Sequence, residues 1–257
     1  MVSIRIVRMT GVTTTIADML HRRNDLSTFL VHFTSPTADG AVSGFDALKS
    51  IVTSNWIEAR NAYGLAINHP VAGNSQKVVC FTETPLEHSW TMTLELAERR
   101  TSNFAPYGLA FTKTHARRRA CQPVWYTNQT KGFDWPSQAL NAAINMETRP
   151  YSHPLSMLRI APFVEQMGDW STADYTSRKE FWWEREWRHV GNFYVSPINT
   201  VALLAPSADH GELRSVLNDY SGWTSRRVPI LDPNWGLERM IAVMSGVAES
   251  DLGPFPN

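Results

Sequence analysis

The 257 residues suffice to bury a substantial core in one large domain or two small ones, and 43% hydrophobic with 19% charged residues is an ordinary globular balance. Twenty-four basic and 24 acidic residues cancel, so no global charge announces nucleic acid. No stretch reaches the roughly 20 apolar residues of a membrane span, no signal core opens the chain, and Cys80 and Cys121 have no metal or disulfide-framework spacing, so a cytoplasmic protein without a membrane partner is expected.

In chain order, Thr13 to Arg23 reads as a short helix and Phe29-Leu30-Val31-His32-Phe33-Thr34 as the first strand. Ser35 to Gly44, rich in Ser, Pro and Gly, is a loop. Ser43 with Asp46 three residues on marks a helix start, and Phe45, Leu48, Ile51, Val52, Trp56 and Ile57 continue it at helical spacing. Val78 to Glu83 is a short strand closed by Thr84-Pro85, with a helix from Leu86 to Arg100 after it. Tyr107 to Thr112 and Pro123 to Tyr126 are strands joined by a connector containing Arg117-Arg118-Arg119. Pro136 to about Trp170 is a helical insertion broken at Pro150, Pro154 and Pro162. Val201 to Leu204 is a strand, and Gly211 to Tyr220 and Gly236 to Val247 are helices. Elements alternate without the glycine fingerprint of a doubly wound sheet, which predicts an α+β fold in one domain over 1–257.

The most informative stretch is Phe181-Trp182-Trp183-Glu184-Arg185-Glu186-Trp187-Arg188, in a chain with ten tryptophans. Taken as extended, it puts Glu184, Glu186 and Arg188 on one face, with Phe181, Trp183, Arg185 and Trp187 on the other. The bland alternative is a solvated face carrying a Glu–Arg pair.

His32 and Thr34 share a face at a strand end, where sites tend to form. Thr82 repeats the arrangement on the second strand, while Glu83 reads more simply as a cap for the helix at Leu86. Walker, His-Glu-x-x-His, Cys-x-x-Cys and Gly-x-Ser-x-Gly motifs are absent, so ATP hydrolysis, a zinc site and the commonest hydrolase elbow have no sequence support, and no metal is expected. His115, His153, His189 and His210 are scattered singles, with His189 directed toward the aromatic side.

The series His32-Phe33-Thr34, Leu48-Lys49-Ser50-Ile51, Cys80-Phe81-Thr82-Glu83, Tyr107 to Phe111 and Trp183 to Arg188 resembles bacterial abortive-infection proteins of the AbiGi type, which look like distant members of the ADP-ribosyltransferase superfamily. The resemblance implies a split, mixed or antiparallel β core with flanking helices. It also implies NAD as substrate, with His32 on the first core strand, Thr82 on the second, Glu186 as the late acid and Glu184 upstream of it. Cys-Phe-Thr-Glu departs from the superfamily's usual second-strand pattern.

On that resemblance Glu186 stabilises the ribose cation and Glu184 prepares the acceptor. His32, with Thr34 and Thr82 beside it, holds the dinucleotide, and Phe111, Tyr126 and Trp182 are candidates to sandwich the nicotinamide. The acceptor is nucleic acid (RNA ahead of DNA) or protein. Arg117, Arg118 and Arg119, along with Arg226-Arg227, are the phosphate-binding candidates, and an antitoxin protein is the implied partner. A non-catalytic sensor or binding module that keeps the fold is the alternative. A metal-dependent nuclease built on Glu83, Glu184 and Glu186 ranks last.

Overall fold

The computed structural model describes residues 26–37, 39–95, 105–171, 176–248 and 251–253, and the expected helix at Thr13 to Arg23 lies outside them. The fold is α+β. Strand β1 (Phe29–Phe33) is buried on both faces, with Leu30 in one apolar cluster and Val31 and Phe33 in another. That explains why its sequence is a nearly continuous apolar run. Helix α1 (Gly44–Ser54) starts as the sequence indicates. The Ser43 hydroxyl accepts from the Asp46 N–H and donates to the Asp46 carboxylate, and Leu48, Ile51 and Val52 face inward. It ends at Asn55, a left-handed residue with φ 61°, so Trp56 and Ile57 leave the helix and form strand β2 (Trp56–Ile57).

Strands β3 (Asn61–Ala62), β4 (Lys77–Phe81) and β5 (Gly108–Thr112) follow. Between β4 and β5 the expected long helix is, in its described part, a 3₁₀ turn at Leu86–His88 and a π turn at Thr91–Glu95. The arginine-rich connector is itself helical, α2 (Lys113–Arg118), because the Thr112 hydroxyl caps it through the His115 N–H. Beyond it lie β6 (Gln122–Pro123), β7 (Trp125–Asn128) and α3 (Trp135–Asn145). The predicted insertion is helical only that far. It continues through 3₁₀ turns at Met157–Arg159 and Ala161–Phe163 into β8 (Val164–Ser171), which pairs with β9 (Thr176–Lys179).

The remaining elements are β10 (Trp187–Val190), β11 (Phe193–Tyr194), β12 (Thr200–Leu204), α4 (His210–Asn218), α5 (Ser221–Arg226), β13 (Ile230–Leu231) and α6 (Leu237–Met244). Phe181 to Arg188 is therefore not one strand. Trp182–Glu184 form a 3₁₀ turn and Arg185 turns left-handed at φ 45°, so the strand begins only at Trp187.

Two four-stranded sheets, ordered β1-β5-β12-β13 and β3-β4-β10-β6, carry the architecture. They meet at a single antiparallel bridge between Val31 of β1 and Thr82 just past β4, closed by N–H···O bonds of 2.9 and 2.8 Å. The strands thus run laterally β10–β4–β1–β5. Gly108 is required in this run: a Cβ there would lie 2.4 Å from the His32 carbonyl oxygen. One apolar cluster packs α1, α4 and α5 on the sheets through Leu48, Phe81, Phe111, Trp187, Leu213 and Trp223. A second places Met240 of α6 against Val31, Leu204 and Trp235.

Candidate functional site

The split between the sheets exposes backbone that a continuous ladder would satisfy, and His32 uses part of it. Its Nδ1–H donates to the Cys80 carbonyl at 2.9 Å, and its ring meets Phe81 edge-on with centroids 5.9 Å apart. Burial holds the imidazole below its ordinary 6.5, partly offset by that hydrogen bond. The neutral ring therefore carries its proton on Nδ1 and leaves Nε2 as an acceptor.

Beside it, Thr82 is buried. Its hydroxyl donates to the Glu184 carbonyl at 2.9 Å and lies 2.8 Å from the Thr84 hydroxyl. Glu186 precedes β10 by one residue. Continuing the Trp187–Phe81 register by one step sets Glu186 opposite Thr82.

The Glu186 carboxylate does not stand alone. Arg188 donates Nε–H to one oxygen and Nη2–H to the other, both at 2.8 Å. The same guanidinium donates to Glu165 at 2.7 Å and, through Nη1, to the Pro162 carbonyl at 2.7 Å. The Tyr63 ring lies 5.0 Å from its carbon. Lys179 pairs with the other oxygen of Glu165. Two cations and two carboxylates thus form a closed network over a guanidinium whose residue is only 1% exposed.

Burial alone disfavours the charged forms. The hydrogen bonds and charge of Glu186, with the Glu165 bond, outweigh it for Arg188, whose pKa rises. Lys179 and Arg188 outweigh it for Glu165, whose pKa falls. Cys80, opposite Arg188 in the ladder, is pushed well up by burial and then by the negative charge of Glu186, so its thiol is protonated and unreactive.

The structure brings some expected residues together and disperses others. Tyr126 is beside the late acid. Its hydroxyl accepts the Glu186 N–H at 2.9 Å, its ring lies 5.8 Å from Trp182, and burial raises its pKa. Glu184 sits in the 3₁₀ turn, so it does not share a strand face with Glu186 and Arg188 as simple alternation predicts.

His32 on β1 and Glu186 just before β10 flank β4, but the imidazole lies on the Phe81 side of β4 and the carboxylate on the Cys80 side. Thr34 is 3% exposed, with its hydroxyl between the carbonyls of Gly44 and Tyr107. Phe111 has no exposed surface. It packs on Phe81, Phe193 and His115 in the core, so no face is left for a nicotinamide ring. His189 packs against Phe193 at 5.3 Å, on the aromatic side as expected.

Glu83 does not cap the turn at Leu86. It accepts the Trp187 indole N–H at 2.9 Å and pairs with Lys113 at 2.7 Å and Arg185 at 3.6 Å. With Glu83 tied to these three and Glu184 in a turn, the acids of the nuclease alternative do not form a metal-binding group. Among the described residues no three His, Cys, Asp or Glu side chains do. Arg117, Arg118 and Arg119 are exposed on and just after α2, with Arg119 over the Tyr194 ring at 5.8 Å. Among the described residues no helix is long and apolar enough to cross a membrane.

Sequence reasoning missed Glu165, Lys179 and Tyr63. They lie far from Arg188 in the chain, and no local pattern joins them.

A family model described as "Putative abortive phage resistance protein AbiGi, antitoxin" matches residues 49–213, well over half of the chain. The chain belongs to the AbiGi family. It is accordingly a protein of abortive-infection phage defence. The AbiGi match contains Thr82, Glu165, Glu186 and Arg188, whereas His32 on β1 and Thr34 just after it lie outside it. No curated protein and no solved structure matches the chain.

Proposed function

We propose that this AbiGi-family chain acts in phage defence as an NAD-dependent ADP-ribosyltransferase toxin or effector, with Glu186 as the acid that stabilises the ribose cation. The observation that carries this reading is lateral: the strands or strand ends bearing His32, Thr82 and Glu186 are immediate neighbours in the run β1–β4–β10. A ligand reaching both His32 and Glu186 wraps the end of β4 at Thr82.

In the reaction the C1′–N bond of NAD breaks and nicotinamide leaves with the bonding pair. The acceptor oxygen or nitrogen then bonds to C1′ and gives up its proton, to Glu184 in this reading. Positive charge develops on the ribose, where a carboxylate bonded to the 2′-hydroxyl stabilises it. A carboxylate has about four acceptor positions and Arg188 takes two, so Glu186, with a side chain 15% exposed, keeps capacity for a ribose hydroxyl. His32 Nε2 accepts a second ribose hydroxyl, and Tyr126 with Trp182 supplies the aromatic wall. RNA is the favoured acceptor, with Arg117, Arg118 and Arg119 binding its phosphates, and a cognate antitoxin is the protein partner.

A second reading has specific support: a non-catalytic module within the same defence system. It is favoured by the bidentate Arg188 clamp, by the two-sided placement of His32 and Glu186 about β4, and by the word antitoxin in the family's description. On this reading the chain is itself the antitoxin and its partner is a toxin.

Incubation of the full chain with NAD labelled in the adenylate, together with RNA, DNA or cell extract, separates the two. Label transferred to one acceptor class supports the transferase. Absence of both transfer and NAD binding supports the module.

A further inference from the structure

A cavity of about 400 Å³ lies away from Glu186, between α4, α6 and the end of α5. Its volume is within the range of small-ligand sites. His210 and Gly211 at the start of α4 form one wall, Trp235 and Val243 an apolar wall, and Arg214 and Arg227 the basic side.

Arg214 is half-buried. Its Nη1–H donates to the Val228 carbonyl at 3.1 Å, and no described carboxylate pairs with it. Burial lowers its pKa. Arg227, exposed and left-handed at φ 47°, caps α5 and likewise has no described acid partner.

Three acids on or beside the elements that line the cavity have partners of their own. Asp209 accepts from the Tyr107 hydroxyl at 2.8 Å, Glu212 pairs with Lys49 at 3.3 Å, and Asp232 accepts from Ser207 at 2.7 Å. The first-turn N–H groups of α4 add positive potential at the same wall.

We propose that this cavity binds a phosphate monoester of roughly nucleoside-monophosphate size. The phosphate sits between the planar guanidinium forks of Arg214 and Arg227, which match it in geometry and charge. The planar or apolar part of the ligand rests on the edge of Trp235 and on Val243. The site shares no residue with the Glu186 network, so its fate is independent of the transferase proposal.

The test is calorimetry of the full chain with AMP, inorganic phosphate and adenosine. With saturating NAD present to fill the dinucleotide site of the transferase reading, AMP should bind saturably at one site per chain and phosphate more weakly, with adenosine giving no signal. Arg214→Met, which keeps the aliphatic stem, and Arg227→Asn, which keeps the left-handed backbone, should each weaken AMP by at least about tenfold. Glu186→Gln should leave AMP affinity unchanged. Arg227 is exposed, so its variant reports even if Arg214→Met fails to fold. Absence of AMP binding, adenosine binding as well as AMP, or AMP affinity lowered by Glu186→Gln but not by Arg227→Asn would each overturn the proposal.

Discussion

Arg188 grips both carboxylate oxygens of Glu186, two residues upstream, through two 2.8 Å hydrogen bonds, while its remaining donors reach Glu165 and the Pro162 carbonyl. One buried side chain thereby ties β10 to β8 and to the turn before it. Removing one partner of such a cluster leaves the others buried and uncompensated, which costs more than the intact pair contributes. Arg188→Met should therefore destabilise the fold by about 3–5 kcal/mol, read from chemical denaturation. Arg188→Lys, which keeps the charge but not the fork, should cost less. A loss under about 1 kcal/mol in the methionine variant would show that the network is dispensable.

Three imidazoles give the fold an acid-side weakness. Burial holds His32, His115 and His189 below their ordinary 6.5, and for His115 the charges of Arg119 and Arg118 add to it. Unfolded, these rings protonate near 6.5, while in the fold they do so only at lower pH. The unfolded chain therefore binds more protons in that window, and stability falls as pH drops below 6.5. His32→Asn, whose amide can still donate to the Cys80 carbonyl, should flatten this slope, by at most about 1.4 kcal/mol per pH unit for the one proton removed. Denaturant midpoints measured across pH 5 to 8 (roughly the histidine window) check it. Parallel wild-type and variant profiles would exclude His32 as a contributor.

The three exposed arginines on α2 carry the RNA part of the account. Replacing Arg117, Arg118 and Arg119 together by Gln should weaken single-stranded RNA binding. It should also reduce the slope of log affinity against log salt by about 2, at roughly 0.7 per phosphate contact. Fluorescence anisotropy over a salt series measures both. An unchanged slope would move the acceptor surface elsewhere or make the acceptor a protein.

Much of the core was legible from local chemistry. Leu30, Val31 and Phe33 on β1, Leu48, Ile51 and Val52 on α1, and Ala202 to Leu204 on β12 follow the periodicities that identify strand and helix. So does the Ser43–Asp46 start. The stretch Phe181 to Arg188 is the least faithful to pattern. Alternation from Phe181 to Arg188 fails because Arg185 adopts a left-handed conformation, which nothing about an arginine between two glutamates announces. β8 was hidden for a related reason, since Gly168 sits at φ 128° within a strand and breaks its reading as a regular element. Glu165 and Lys179 could not be joined to Arg188 from sequence, because their meeting depends on β8 and β9 folding over the late strand. Phe111 is enclosed by three neighbouring rings, a tertiary arrangement that no local pattern around it carries.

The sharpest test is the rate of nicotinamide release from NAD by the full chain and by Glu186→Gln, with folding of the variant confirmed by its denaturation midpoint. Measurable release by the natural sequence is expected, with a drop of roughly a hundredfold to a thousandfold when the charge on residue 186 is removed. Equal rates in the two proteins, or no release from either in the presence of RNA, DNA and cell extract, would contradict it.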